Sequence, residues 1–198
     1  MTHALIWLLA ALAYAGFYGW YVGFKRRLSA DEVEACCQAL EETWSVERIA
    51  PIKAFLNQDT GREFYMANVL QLYARTASGE RGSEVMQRYQ KPFLNSILKR
   101  ACHPIAVGIA ASRAVEHWGI EQGETWNVAA FVRYRSRRDF AEILLMPSLY
   151  GIHLHKEAAV EKTIAFASDP AFIVGGGPKL IVPLALVAMA SLASLLLG

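Results

Sequence analysis

Phe64-Tyr65-Met66-Ala67-Asn68-Val69-Leu70-Gln71-Leu72-Tyr73 reads as a β-strand, because successive side chains of a pleated strand point to opposite faces and Phe64, Tyr65, Val69 and Tyr73 are residue types that favour strands. Phe64, Met66, Asn68, Leu70 and Leu72 share one face, and Tyr65, Ala67, Val69, Gln71 and Tyr73 share the other. Both faces are largely apolar, so the sheet that contains this strand needs cover on two sides.

Working outward, a polar loop with Gly79 and Gly82 leads to a helix from about Ser83 to Ala101, whose Met86, Tyr89, Phe93 and Ile97 form one stripe around Pro92. Ile105 to Ser112 is a second strand and Trp126 to Tyr134 a third. A helix starts near Ser136 and restarts at Pro147, and Thr163 to Ala167 is a final strand. The order β-α-β-β-α-β is that of a ferredoxin-like sheet with both helices on one face, so the fold class is α+β.

The chain on either side of this domain, taken as residues 64–170, differs in composition. All 20 basic and 18 acidic residues fall between Lys25 and Lys179. Residues 1–24 carry no charge, and a helix over Ala4 to Phe24 is long enough, at ~1.5 Å per residue, to cross about 30 Å of hydrocarbon. Residues 180–198 are a second uncharged apolar stretch. Lys25, Arg26, Arg27 and Lys179 all flank the spans on the domain side, so the positive-inside rule puts the middle domain in the cytoplasm and both termini outside, as in a bacterial inner membrane. Ala11, Ala15, Gly19 and Gly23 recur every four residues, a small-residue face of the kind that lets membrane helices approach closely. Residues 25–63 are expected as an amphipathic helical linker region. It holds one helix over 29–45, capped by Ser29 with Glu32 three positions on, and a second over 46–57. Residues 171–179, with Gly175-Gly176-Gly177-Pro178, read as a flexible joint, and Pro183 as a first-turn proline of the tail helix.

A net charge of +2 argues against nucleic acid, which needs basic charge concentrated on one surface. Three cysteines, two of them adjacent, make no disulfide framework, and no C-x-x-C spacing suggests a structural zinc. No metal site is expected, and the sequence names no cofactor. The glycines before Pro178 lack the Lys-Ser/Thr that a phosphate loop requires.

Phe64-Tyr65-Met66-Ala67-Asn68-Val69-Leu70, Tyr89, Trp126-Asn127, Arg133-Tyr134-Arg135-Ser136-Arg137 and His155-Lys156-Glu157-Ala158-Ala159, in that order and spacing, resemble the DUF1330-type branch of the dimeric α+β barrel superfamily over about residues 46–168. The resemblance implies a ferredoxin-like protomer that pairs sheet to sheet into a barrel. It also implies membership of a superfamily that includes cofactor-independent monooxygenases, isomerases, haem enzymes and proteins of unknown activity.

A barrel of this kind sets polar groups against an apolar wall, which makes polar residues inside strands and at their ends the candidates for ligand binding. Asn68 is a neutral amide among apolar neighbours; Tyr134 and Arg137 stand at a strand-to-helix turn. His155 is a candidate general base or axial ligand on the following helix. His153 and His155, two apart, point in different directions and cannot share a metal as an i, i+4 pair can. Ser136, with Asp139 three residues on, is a helix cap, and Arg133, Arg135, Arg137 and Arg138 are read as salt-bridge partners for Asp139 and Glu142, the alternative being anionic head groups or an acidic partner.

Two functions fit. The first is a membrane-anchored accessory or assembly subunit that self-associates, contacts membrane lipid and packs into a larger complex. The second is a membrane-bound enzyme of cofactor-independent type, or a binding protein, for a small hydrophobic molecule held near Asn68, Tyr134, Arg137 and His155. An open cavity with convergent polar groups favours the second; a filled one favours the first. Sequence alone does not decide whether the protein is an enzyme.

Overall fold

The computed structural model describes residues 2–24, 26–121, 123–171 and 177–197. Within residues 25–169, which form one compact unit, the elements are α2 (Ala30–Glu41), α3 (Val46–Asn57), β1 (Phe64–Leu72), α4 (Gly82–Leu98), β2 (His103–Ile109), β3 (Val128–Tyr134), α5 (Arg137–Leu144), α6 (Pro147–Ala159) and β4 (Val160–Ser168). The four strands form a single antiparallel sheet in the order β2-β3-β1-β4. This is an α+β fold with the expected β-α-β-β-α-β succession, its second helical segment split at Pro147 because proline is at home in a first helical turn.

Register assigns the two faces of the sheet. Phe64, Met66, Asn68 and Leu70 of β1 lie opposite Tyr134, Val132, Ala130 and Val128 of β3, and these side chains face the helices. On the reverse face Ala67 sits between Phe131 of β3 and Phe166 of β4. Phe131, Ile164 and Phe166 are 44%, 53% and 54% exposed there.

Residues 25–63 are not a linker. The apolar stripe of α2 (Val33, Cys36, Cys37, Leu40) packs with Ile49 and Leu56 of α3 and Ala141 of α5 into one buried cluster. Ser29 and Glu32 form both bonds of the capping box, and Glu32 also accepts two bonds from Arg138 at 2.9 and 2.8 Å. That ion pair, helped by the Ser29 N–H, holds the Glu32 carboxyl down at about 2. The helical pair therefore joins the layer of α4 to α6 on the same side of the sheet.

Strand boundaries shift where hydrogen bonding, and not apolarity, sets them. β2 begins at His103 and carries an irregularity between Pro104 and Ala106, where proline supplies no N–H to the ladder. Trp126 and Asn127 precede β3, and the Asn127 amide continues the ladder in its place, accepting from the Leu72 N–H at 2.9 Å and donating to the Leu72 carbonyl at 3.2 Å. β4 starts three residues earlier than expected, directly from α6. At the end of α4, Ala101 takes φ +55, and its carbonyl accepts from Arg133 at 2.7 Å. Gly82 starts α4 against the end of β1: a Cβ there would lie 2.3 Å from the Tyr73 carbonyl oxygen and 2.9 Å from that of Ala159.

The second unit comprises residues 1–24 and 170–198. It contains α1 (Thr2–Val22) and α7 (Gly177–Leu197), two helices long and apolar enough to cross a membrane, with mean hydropathy 1.5 over His3–Val22 and 2.5 over Gly177–Leu197. They pack against each other. The less exposed side of α1 carries Ile6, Ala10, Tyr14, Phe17 and Tyr21, and that of α7 carries Val182, Leu186, Ala190 and Ala193. Both stripes follow the three-four spacing of a helix–helix seam. Ala11 and Ala15 lie on the exposed side of α1, and a Cβ on Gly19 would meet only Phe24, at 3.9 Å. The large side chains take the seam because they bury more area than the small ones. Gly23 follows the helix and terminates it, at φ +67 with its N–H bonded to the Gly19 carbonyl at 3.0 Å. Pro183 lies inside α7, not in its first turn, since the helix begins at Gly177. Lys25, Gly175 and Gly176 lie outside the described residues.

Candidate functional site

Between the helix-facing side of the sheet and the helices lies a partly open cavity of about 640 Å³, within the range of about 300–1,000 Å³ usual for small-molecule sites. Its floor is Met66, Asn68, Leu70 and Leu72 of β1 with Val128, Ala130, Val132 and Tyr134 of β3. The roof comes from α3 through Ile52 and Phe55, α4 through Tyr89 and Phe93, α5 through Phe140 and Ile143, and α6 through Leu149, His153 and Lys156. The cavity exists because small residues, Ala130 on β3 and Ala165 and Ala167 on β4, sit where larger ones would meet the helices.

A few polar groups enter this apolar space. Asn68 donates from Nδ2 to the Met66 carbonyl at 3.0 Å, and its Oδ1 has no protein partner among the described residues. The Tyr134 ring stacks on Phe64 at 5.1 Å, and burial, then the proximity of Tyr89 and Cys102, pushes its hydroxyl well above the usual value. Burial also raises Tyr89. Neither phenol hydrogen-bonds to another described residue.

At one end of the cavity the lining changes character. His153 packs 5.3 Å from Trp44 and edge-on to Tyr89 at 5.5 Å. Burial first, then the charges of Lys156 and Arg48, lower its pKa to about 4, so the ring is neutral near pH 7. Lys156 lies 5.7 Å from the Tyr89 ring centroid, and burial, then Arg48, lowers its pKa against the opposing pull of Glu157. Arg48 stacks over Trp44 at 4.2 Å and pairs with Glu157 at 2.5 Å.

Of the four residues read from sequence as ligand-binding candidates, the cavity brings together Asn68 and Tyr134. Arg137 lies elsewhere, its guanidinium 4.3 Å over the Phe55 ring and bonded to the Phe55 carbonyl at 2.8 Å, where it fastens α3 to α5. His155 is partly buried, does not line the cavity and lies near Glu80. Its neighbour His153 takes the cavity position instead. The other arginines are held structurally: Arg133 by Glu63 at 2.8 and 2.5 Å, and Arg135 by the fully buried Asp139 at 2.9 and 2.7 Å. Ser136 caps α5, accepting from the Asp139 N–H at 3.0 Å. Trp44, Tyr89, His153 and Lys156 were not singled out as site residues from sequence. The recurring aromatic and basic residues of α6 and the preceding α2–α3 segment were the available signal. No group of three or more metal-ligating side chains occurs among the described residues.

No family model matches the chain, and no curated protein matches it. Two solved structures are similar in fold. One is the crystal structure of RPA0582, a protein of unknown function from Rhodopseudomonas palustris, with TM-score 0.55 and 20% identity over 66% of this chain and 96% of that one. The other, of methylated RPA0582, has TM-score 0.55 and 21% identity over 67% of this chain and 96% of that one. At this identity the similarity extends to the α+β fold.

Proposed function

We propose that this chain is a membrane-anchored binding protein for a small hydrophobic molecule, which it holds in the cavity between sheet and helices. The observation that carries this reading is the cavity itself. A folded core is normally close-packed, and a space of about 640 Å³ lined by apolar side chains, with Asn68 and the Tyr134 and Tyr89 hydroxyls bordering it, is costly to leave empty. The protomer is read as ferredoxin-like and of the dimeric α+β barrel type, and the sequence resemblance alone points to its DUF1330 branch; the strand order β2-β3-β1-β4 supports the broader assignment. Anchoring by α1 and α7, with the domain on the cytoplasmic side of a bacterial inner membrane, is supported by the apolar length of both helices and the cations that flank them.

The test is a titration of the full chain in phosphatidylcholine nanodiscs with dodecanol, an uncharged probe. Saturable binding above the empty-nanodisc background is expected, weakened by filling the cavity with Ala130→Phe. Partitioning identical to empty nanodiscs would end the reading.

A second reading, self-association for assembly, is favoured by the reverse face of the sheet. Phe131, Ile164 and Phe166 are exposed there, and α2 and α3 lie on the opposite side. Pairing two such faces would bury this surface and is compatible with ligand binding inside each protomer. The exposed Ala11 and Ala15 side of α1 would be the corresponding contact within the membrane.

A further inference from the structure

The lining of the cavity is chemically lopsided. Among its thirty or so residues there is no aspartate or glutamate, whereas Arg48, His153 and Lys156 all stand at the end formed by α3 and α6. These three differ in how they are satisfied. Arg48 already has Glu157 and the Trp44 ring. His153 is wedged between Trp44 and Tyr89. Lys156 has only the face of Tyr89; no carboxylate pairs with it, and it makes no hydrogen bond among the described residues. A partly buried ammonium whose nearby carboxylate, Glu157, is engaged by Arg48 is costly, and an anion brought into contact relieves that cost.

Resting on the reading of the cavity as a ligand site, we infer that the ligand is an anionic amphiphile, an alkyl or aryl chain ending in a carboxylate, whose head group pairs with Lys156 while its chain lies over Met66, Leu70, Val128 and Val132. The surroundings fit that assignment from every side. Arg48 on α3 adds positive potential at the same end, Tyr89 on α4 offers an unused hydroxyl, and His153 on α6 supplies a ring nitrogen. Glu157 is the charged group that opposes an anion, and it is occupied by Arg48. Asn68 and Tyr134, set in the strands, border the apolar part and suit a polar substituent along the chain. The lowered pKa of Lys156 agrees with this, because burial and Arg48 penalise the charge that a carboxylate in contact would favour.

The experiment compares laurate with dodecanol, which share a chain and differ in head group, on the full chain in phosphatidylcholine nanodiscs at pH 8. Binding is read as the saturable component above empty nanodiscs. Laurate should bind tighter than dodecanol by about tenfold or more, the usual worth of one charge-assisted hydrogen bond. Lys156→Met should bring the laurate-to-dodecanol ratio close to one, while Lys156→Arg should keep most of the preference. Unfolding curves of the variants report whether the fold survives, and the laurate-to-dodecanol ratio of the unaltered protein tests the head-group assignment without any substitution. Equal binding of the two probes, or a laurate preference that persists in a folded Lys156→Met protein, would overturn the inference and leave the hydrophobic-ligand reading standing. Failure of both probes to bind would overturn that reading as well.

Discussion

His153 sets its ring edge-on to Tyr89 at 5.5 Å, inside the cavity, while His155 two residues further along the same helix does not line it. The two imidazoles therefore have different environments, and burial keeps the first neutral near pH 7.

That difference has a pH signature. Burial with Lys156 and Arg48 nearby lowers His153 from the usual 6.5 to about 4. A depressed pKa means that the unfolded chain takes up a proton before the native state does, so the contribution is fully present above about pH 6.5 and is lost as pH falls toward 4. Urea midpoints of a fragment of residues 25–169 should fall across that window. His153→Gln should flatten the fall, and an unchanged slope in that variant would show that the ring is not buried neutral. Glu32, held down at about 2 by Arg138 and Ser29, loses its own contribution only below about pH 4.5, which keeps the two effects apart.

Gly82→Ala is expected to destabilise the domain by about 2–3 kcal/mol, the scale of overpacking in a site that cannot relax. Its Cβ would meet the Tyr73 carbonyl oxygen at 2.3 Å, and both obstructing atoms are backbone. Thermal or urea unfolding measures it; a neutral substitution would mean that the β1–α4 junction is looser than described.

Asp139→Ala should cost about 3–5 kcal/mol, because it leaves Arg135 without its bidentate partner in a largely buried place and removes an acceptor for the Ser136 hydroxyl at 2.7 Å. Asp139→Ala with Arg135→Met should recover part of that loss, and the pair of measurements separates an uncompensated charge from lost packing.

How much of this was legible beforehand depended on how local the cause was. The strand at Phe64 and the caps at Ser29 and Ser136 follow from alternation and from side chains within three residues, so sequence shows them. The phase of α6 does not. Whether His153 or His155 enters the cavity depends on how that helix rolls against Tyr89 and Trp44, contacts distant in the chain. For the same reason the stripe Val33, Cys36, Cys37 and Leu40 announced that α2 is covered but not by what, and residues 25–63 were read as a linker. Arg137 was a reasonable binding candidate by position and proved to be the fastener between α3 and α5. The Ala11 and Ala15 spacing was visible, but the aromatic seam of α1 outweighs it in area.

The reverse face of the sheet predicts self-association. A fragment of residues 25–169 should sediment as a dimer at micromolar concentration, and Phe131→Asp should make it a monomer without lowering its helix content, since Phe131 is 44% exposed in the single chain. A dimer that survives Phe131→Asp would place the contact elsewhere.

Asn68→Leu and Tyr134→Phe should each weaken ligand retention by about 0.5–1.5 kcal/mol, the worth of one hydrogen bond, with little change in unfolding. Arg137→Met should do the reverse, loosening α3 from α5 with its effect on stability and not on head-group preference.

The most direct measurement is mass spectrometry of the small molecules that accompany the protein when it is taken from its native membrane into polymer nanodiscs without detergent. The account predicts a small hydrophobic molecule near one equivalent per chain in the unaltered protein, depleted when Ala130→Phe fills the cavity, while the surrounding phospholipids are recovered equally from both. An identical set of molecules from the two proteins would contradict it.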